Sequence, residues 1–161
     1  MEIPIISTFG FLKNIWYKFH KPNKHDIELY DKYKKLLIEN GSIRFYKNHE
    51  FQSSFKNEYW TPLSNYIDFW NSIEYEFVDK KLNDAHKNVY SAAFLLGQTI
   101  AECTFFIGEG NYMRCVRHDE IQGETPNDIK ENAKNINELA KKFIEYHELF
   151  VKLAHSKLYN S

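Results

Sequence analysis

The sequence predicts an all-α fold, an antiparallel helical bundle with four main helices, an apolar N-terminal helix and one long loop. Three observations lead to this prediction. Apolar residues recur every three or four positions over long segments, capping residues precede several of them, and no alternating run is long enough to require a β-sheet. With 161 residues, 43% of them apolar, the chain is expected to form one bundle domain over residues 25–161, preceded by a segment over residues 1–24.

The composition narrows the classes of function. A formal net charge of -1 gives no general attraction to nucleic acids, so the composition carries no strong nucleic-acid signal. Two cysteines are too few for a disulfide framework and no cleavable signal pattern is visible, which favours the cytoplasm. The sequence contains no nucleotide-binding, metal-binding or nucleophile motif, so neither a metal nor another cofactor is predicted.

Residues 3–19 combine helical spacing with apolar side chains on every side. Lys13 and Asn14 interrupt the stretch, which is short for a bilayer span of about 20 residues. Three interpretations stay open. The segment packs on the bundle as a helix, docks on a protein partner or a second copy of the chain, or lies on the inner face of the membrane.

Residues 26–40 are predicted to form a helix that ends at Gly41. Four apolar residues form its inward stripe: Ile27, Tyr30, Tyr33 and Leu37. Between residues 42 and 59 the pattern is weaker. It indicates one short helix and then an irregular stretch that Phe51 and Phe55 anchor in the core.

A further helix is predicted to begin with the capping pair Thr61 and Pro62. Its stripe contains Leu63, Tyr66, Ile67, Trp70, Ile73 and Phe77. The stripe loses its phase near Val78 and Asp79, so we expect a break there, with Asp79 capping the next helix. The stripe of that helix contains Leu82, Ala85, Val89, Ala92, Ala93, Leu96, Ile100 and Cys103.

The C-terminal helix has the clearest pattern in the chain. Thr125 is a good N-cap and Pro126 suits the first helical position. The stripe then steps through Ile129, Ala133, Ile136, Ala140, Phe143, His147, Phe150 and Ala154. Because His147 lies within this apolar seam, we interpret it as a hydrogen-bonded core residue rather than a ligand.

The loop over residues 108–124 is the first candidate for a site. It is several times longer than the usual connection between helices, and long ordered loops are often functional. Arg114, Arg117 and His118 are predicted to bind a phosphate or carboxylate, since lysine outnumbers arginine 18 to 3 and a retained arginine indicates a need for the planar guanidinium. The alternative is a structural crossing in which both arginines pair with nearby acids.

The second candidate is the pair Arg44 and His49, which has four residues between its members. In an all-α protein this spacing resembles the motif of the HEPN family, helical-bundle proteins that include metal-independent endoribonucleases. The resemblance implies that His49 acts as the general acid or base at the RNA 2′-hydroxyl and that Arg44 holds the phosphate. The alternative is structural, with Arg44 paired to a carboxylate and His49 hydrogen-bonded in a turn.

Two functional hypotheses follow. The first is a non-enzymatic interaction or anionic-ligand-sensing module of an AT-rich bacterial or phage-like genome, which uses the 108–124 loop and docks a protein partner or a second copy through its N-terminal segment. The alternative is the HEPN-like endoribonuclease with Arg44 and His49. The expected location is the cytoplasm, with attachment to the inner membrane face as the less favoured case.

Overall fold

A computed structural model describes residues 22–115 and 127–159. These residues are mostly helical with a small three-stranded sheet, which confirms the helical class in its coarse form. The four-helix antiparallel bundle stays a prediction, and the predicted N-terminal helix lies outside the described residues. None of the helices within the described ranges is long and apolar enough to cross a membrane.

The first described helix, α1, spans Lys24–Tyr33 and continues without interruption as a π-helical turn over Lys34–Glu39. The side chain of Asn23 caps its start by accepting a hydrogen bond from the backbone N–H of His25 at 2.9 Å. Gly41 then adopts a φ of 85° and ends the helical run, as the sequence predicts. The short helix α2 spans Ser42–Asn48.

Helix α3 spans Asn57–Phe69, so the predicted start at Thr61 and Pro62 is wrong. Pro62 lies inside the helix, where it has no N–H to donate to the carbonyl group four residues earlier, at Glu58. The predicted continuation of this helix to Phe77 is also wrong. Residues 70–79 form instead a connection that contains a single 3-10 turn, Ile73–Tyr75, and its Ile73 side chain is exposed.

The long helix α4 spans Lys80–Cys103 and begins where the break was predicted. The Asp79 carboxylate caps it by accepting a hydrogen bond from the N–H of Leu82 at 3.0 Å. A second carboxylate, on the buried Asp26 of α1, accepts hydrogen bonds from the N–H groups of Val78 at 2.7 Å and Asp79 at 2.9 Å. The start of α1 is thereby fixed against the end of the connection.

The sheet contradicts the expectation that the chain forms no strands. It consists of β1 (Phe55–Lys56), β2 (Phe105–Ile107) and β3 (Tyr112–Arg114), with β3 in the centre and both pairings antiparallel. Strands of two or three residues are too short to show a period of two in the sequence, which is why the pattern missed them.

The last helix, α5, spans Asn127–Leu158, and the predicted cap at Thr125 and Pro126 lies outside the described residues. All eight members of its predicted stripe, from Ile129 to Ala154, are buried, as predicted. Among the described elements, α4 and α5 share the largest helix–helix interface. The core therefore lies along these two helices, and the shorter elements close it on the other sides.

Candidate functional site

A cleft of about 190 Å³ opens beside the connection between α3 and α4. Aromatic side chains form much of its wall: Trp70, Tyr75, His86 and Tyr90. Its polar lining comes from Asn71, Ser72, Glu76, Asn83 and Lys87. The cleft lies between the connection that follows α3 and the first three turns of α4.

His86 lines the inner part of the cleft and is only 3% exposed. Its Nε2 lies 2.9 Å from the hydroxyl oxygen of the buried Tyr66. Burial lowers the pKa of His86 to about 4, so the imidazole is neutral at physiological pH. We assign the Tyr66 hydroxyl as the donor, since no other described group accepts its hydrogen, and the Nδ1 of His86 then carries the imidazole hydrogen.

A second buried tyrosine–histidine pair belongs to the same part of the core. The hydroxyl oxygen of Tyr33 is 2.6 Å from the Nδ1 of His147, and burial lowers the pKa of this histidine to about 4 as well. The interpretation of His147 as a hydrogen-bonded core residue is therefore confirmed. Both pairs belong to one cluster of packed rings, the cleft-end cluster, which contains Tyr33, Tyr66, Trp70, Phe77, His86, His147 and Phe150.

The rim of the cleft carries one charge of each sign. The ammonium group of Lys87 lies 3.0 Å from the carboxylate of Glu76, and both side chains are about half exposed. The backbone carbonyl of Glu76 is also 3.0 Å from the ring Nε2 of His25, so the start of α1 helps to fix the rim. Tyr90 is held in place because its hydroxyl donates to the carbonyl of Ile67 at 2.9 Å.

Arg44 lies on α2 and His49 directly follows its last residue, and neither lines the cleft. Arg44 is exposed, whereas His49 is half-buried and its Nε2 lies 3.2 Å from the carbonyl oxygen of Ser53, which agrees with the structural alternative for the histidine. Burial lowers the pKa of His49. Its ring stacks on Phe45 in a second cluster, the sheet-end cluster, which contains Phe45, Tyr46, His49, Phe51, Phe55 and Tyr59.

Of the predicted loop site, only Arg114 is described, and Arg117 and His118 lie outside the described residues. Arg114 ends strand β3 and is half-buried, and its Nε is buried without a hydrogen-bond partner among the described residues. The first part of the loop is thus a β-hairpin, in which Gly108 and Gly110 adopt the positive φ angles that the turn needs. The thiol of the buried Cys115 donates to the carbonyl of Phe51, and burial raises its pKa to about 11.

The cleft was not predicted from the sequence, although the break near Val78 and Asp79, beside which it lies, was. His86 and Tyr66 are 20 residues apart and lie on different sides of the break, so no local spacing relates them. The one available signal was the loss of phase near Val78, which implied a change of direction but not the exposed turn before it.

The cleft offers hydrogen-bond donors and acceptors, aromatic rings and an ion pair. Across residues 22–115 and 127–159, no group of three or more His, Cys, Asp or Glu side chains is arranged to hold a metal ion. Comparisons of the chain with protein-family models, with curated proteins and with solved structures find no match.

Proposed function

We propose that the protein is a non-enzymatic binding module that senses a small polar ligand in the cleft. The buried imidazole of His86 supports this most directly, because it lines the cleft, Tyr66 binds its Nε2, and its Nδ1 has no hydrogen-bond partner among the described residues. The surrounding surface, largely aromatic with a few polar groups, has the composition typical of small-molecule sites.

The charges at the rim favour a particular kind of ligand. A purely anionic ligand is attracted by Lys87 but repelled by Glu76, which lies 3.0 Å from that ammonium group. A zwitterion or a neutral polar molecule can satisfy both groups. A volume of about 190 Å³ is also below the range of about 300–1,000 Å³ typical of drug-sized ligands, so a metabolite the size of a free amino acid fits best.

A thermal-denaturation panel of free amino acids, dicarboxylates and small sugars tests this proposal. A ligand that binds only the folded protein raises the free energy of unfolding by about 2.7 kcal/mol at 100 times its Kd. We expect a zwitterionic compound to raise the melting temperature. Lys87→Gln and Glu76→Gln are each expected to reduce that rise, because each removes one charge of the matched pair.

Lys80→Gln is the matched control, since Lys80 is an exposed lysine at the start of the same helix and is not part of the cleft lining. It should leave the rise in melting temperature unchanged. A panel without any shift, or a shift that survives in both Lys87→Gln and Glu76→Gln, would remove the cleft as the site.

The buried and unpartnered Nε of Arg114 favours the loop as a second candidate site, for an anion. In that case phosphate or a dicarboxylate raises the melting temperature. Arg114→Lys and Arg117→Lys reduce the rise, because lysine cannot offer two parallel hydrogen bonds, and Lys87→Gln has no effect. The two sites are therefore distinguished by the charge of the active compound and by the variants that respond to it.

A further inference from the structure

The connection over residues 70–79 exposes more apolar surface than a short turn requires. Ile73 is 84% exposed, the highest value for any large apolar side chain among the described residues, and Val78 is 64% exposed. Leaving such side chains in water forgoes the free energy that their burial would contribute. Two of them within six residues indicate a surface that another apolar segment covers.

The N-terminal segment enters the described structure beside this surface. The ring Nε2 of His25 lies 3.0 Å from the carbonyl oxygen of Glu76, and the carboxylate of Asp26 binds the N–H of Val78 at 2.7 Å. Residues 1–21 are therefore attached to the fold within a few residues of the connection. A short tether of this kind gives an effective concentration in the millimolar range, which neither a second copy nor a separate partner reaches at ordinary protein concentrations.

The two stretches complement each other in composition. The connection carries Glu74, Glu76 and Asp79 and no basic residue, whereas the N-terminal segment has three lysines against one acid: Lys13, Lys18, Lys21 and Glu2. Glu74 is exposed and makes no ion pair with another described residue. The apolar residues of the segment are equally abundant: Ile3, Ile5, Ile6, Phe9, Phe11, Leu12, Ile15, Trp16, Tyr17 and Phe19.

We propose that residues 1–21 dock on the connection of their own chain and cover Ile73 and Val78. Apolar burial supplies most of the attraction, and the tether at α1 makes the contact intramolecular. Among the acids of the connection Glu74 attracts the lysines of the segment, since Glu76 and Asp79 already pair with Lys87 and Lys157. This assignment selects one of the three interpretations of the segment and does not depend on a ligand in the cleft.

Limited digestion of the full-length protein with trypsin tests the docking. Lys13 and Lys18 are cleavage sites inside the segment, and a docked segment resists cleavage there. Ile73→Asp and Val78→Asp each remove apolar contact and place a carboxylate that docking would have to remove from water. Each is therefore expected to speed cleavage at these lysines about tenfold. Because both side chains are exposed, neither change should disturb the core, which a circular dichroism melt verifies.

Leu149→Asp is the matched control, since Leu149 is 63% exposed and lies on α5 rather than on the connection. It should leave the cleavage rate unchanged. Rapid cleavage in the unmodified protein, or release by Leu149→Asp and not by Ile73→Asp, would overturn the proposal. Protection that disappears on dilution would assign the surface to a second copy, and protection that needs lipid vesicles would assign the segment to a membrane. Either result excludes intramolecular docking.

Discussion

The cleft-end and sheet-end clusters both pack histidine among aromatic rings, but the histidines differ in burial and in hydrogen-bond partner. At the cleft end His86 and His147 are buried and each bonds a tyrosine hydroxyl. At the sheet end His49 is half-buried and bonds a backbone carbonyl. Aromatic surroundings alone therefore do not determine what a histidine can do. Burial is the main cause of the lowered pKa at all three histidines, and it lowers the pKa to about 4 at the two buried rings of the cleft end.

The largest expected difference between the two clusters is their effect on stability at acidic pH. An unfolded histidine gains a proton near pH 6.5, whereas His86 and His147 in the folded chain gain one only near pH 4. The unfolded state therefore binds more protons between these values, and the free energy of unfolding falls as the pH falls from 6.5 to 4. The loss is about 3 kcal/mol for each of the two histidines. Urea unfolding at closely spaced pH values measures it.

Variants at the two ends sharpen this test. His86→Phe removes one of the two protons taken up on unfolding, so the dependence of stability on pH should become clearly shallower. His49→Gln should change it less, because the half-exposed His49 has its pKa lowered by a weaker burial effect that the hydrogen bond to Ser53 opposes. If His49→Gln reduced the pH dependence of stability more than His86→Phe does, the assigned difference in burial between the two ends would be wrong.

The next largest effect concerns the side chains that clamp the backbone at each end. Asp26, which is 1% exposed, accepts hydrogen bonds from two N–H groups at the cleft end. Asn137 accepts one, from Phe51, at the sheet end at 3.0 Å. We expect Asp26→Ala to lower the free energy of unfolding by about 3 kcal/mol and Asn137→Ala by about 1 kcal/mol, since buried donors left without an acceptor are costly. Chemical denaturation of both variants decides the order, and Asp26→Asn should recover part of the loss.

Removing single hydroxyl groups has a smaller effect. Tyr66→Phe leaves the Nε2 of the buried His86 without its partner, and we expect a loss of about 1–2 kcal/mol. Tyr46→Phe removes a hydrogen bond of 3.1 Å to the carbonyl of Tyr59 at the sheet end, where the expected loss is about 1 kcal/mol or less. Equal losses in denaturant melts would mean that the tyrosine–histidine pair gains nothing from its deeper burial.

Helical spacing and capping chemistry predicted the parts of the fold that depend on local sequence. The stripe from Ile129 to Ala154, the cap at Asp79 and the stop at Gly41 all follow from contacts within a few residues. The same spacing extended one helix too far, to Phe77, because the connection after the helix keeps the apolar pattern of a helix by chance. The sheet and the cleft depend on contacts between distant residues, which local periodicity does not contain.

The ribonuclease hypothesis predicts the smallest change in stability and the largest change in activity. His49 is nearer the surface than His86 or His147, so of these three it is the one whose ring can exchange a proton with a bound substrate. In a HEPN-like enzyme, metal-free cleavage of single-stranded RNA should fall at least about 100-fold in His49→Ala and in Arg44→Ala, while stability changes by about 1 kcal/mol or less. Lys47→Ala, another exposed basic residue on α2, is the control for general loss of charge. Cleavage that persists in His49→Ala would leave this histidine with the role its geometry already gives it, a hydrogen bond to Ser53 that closes the turn after α2.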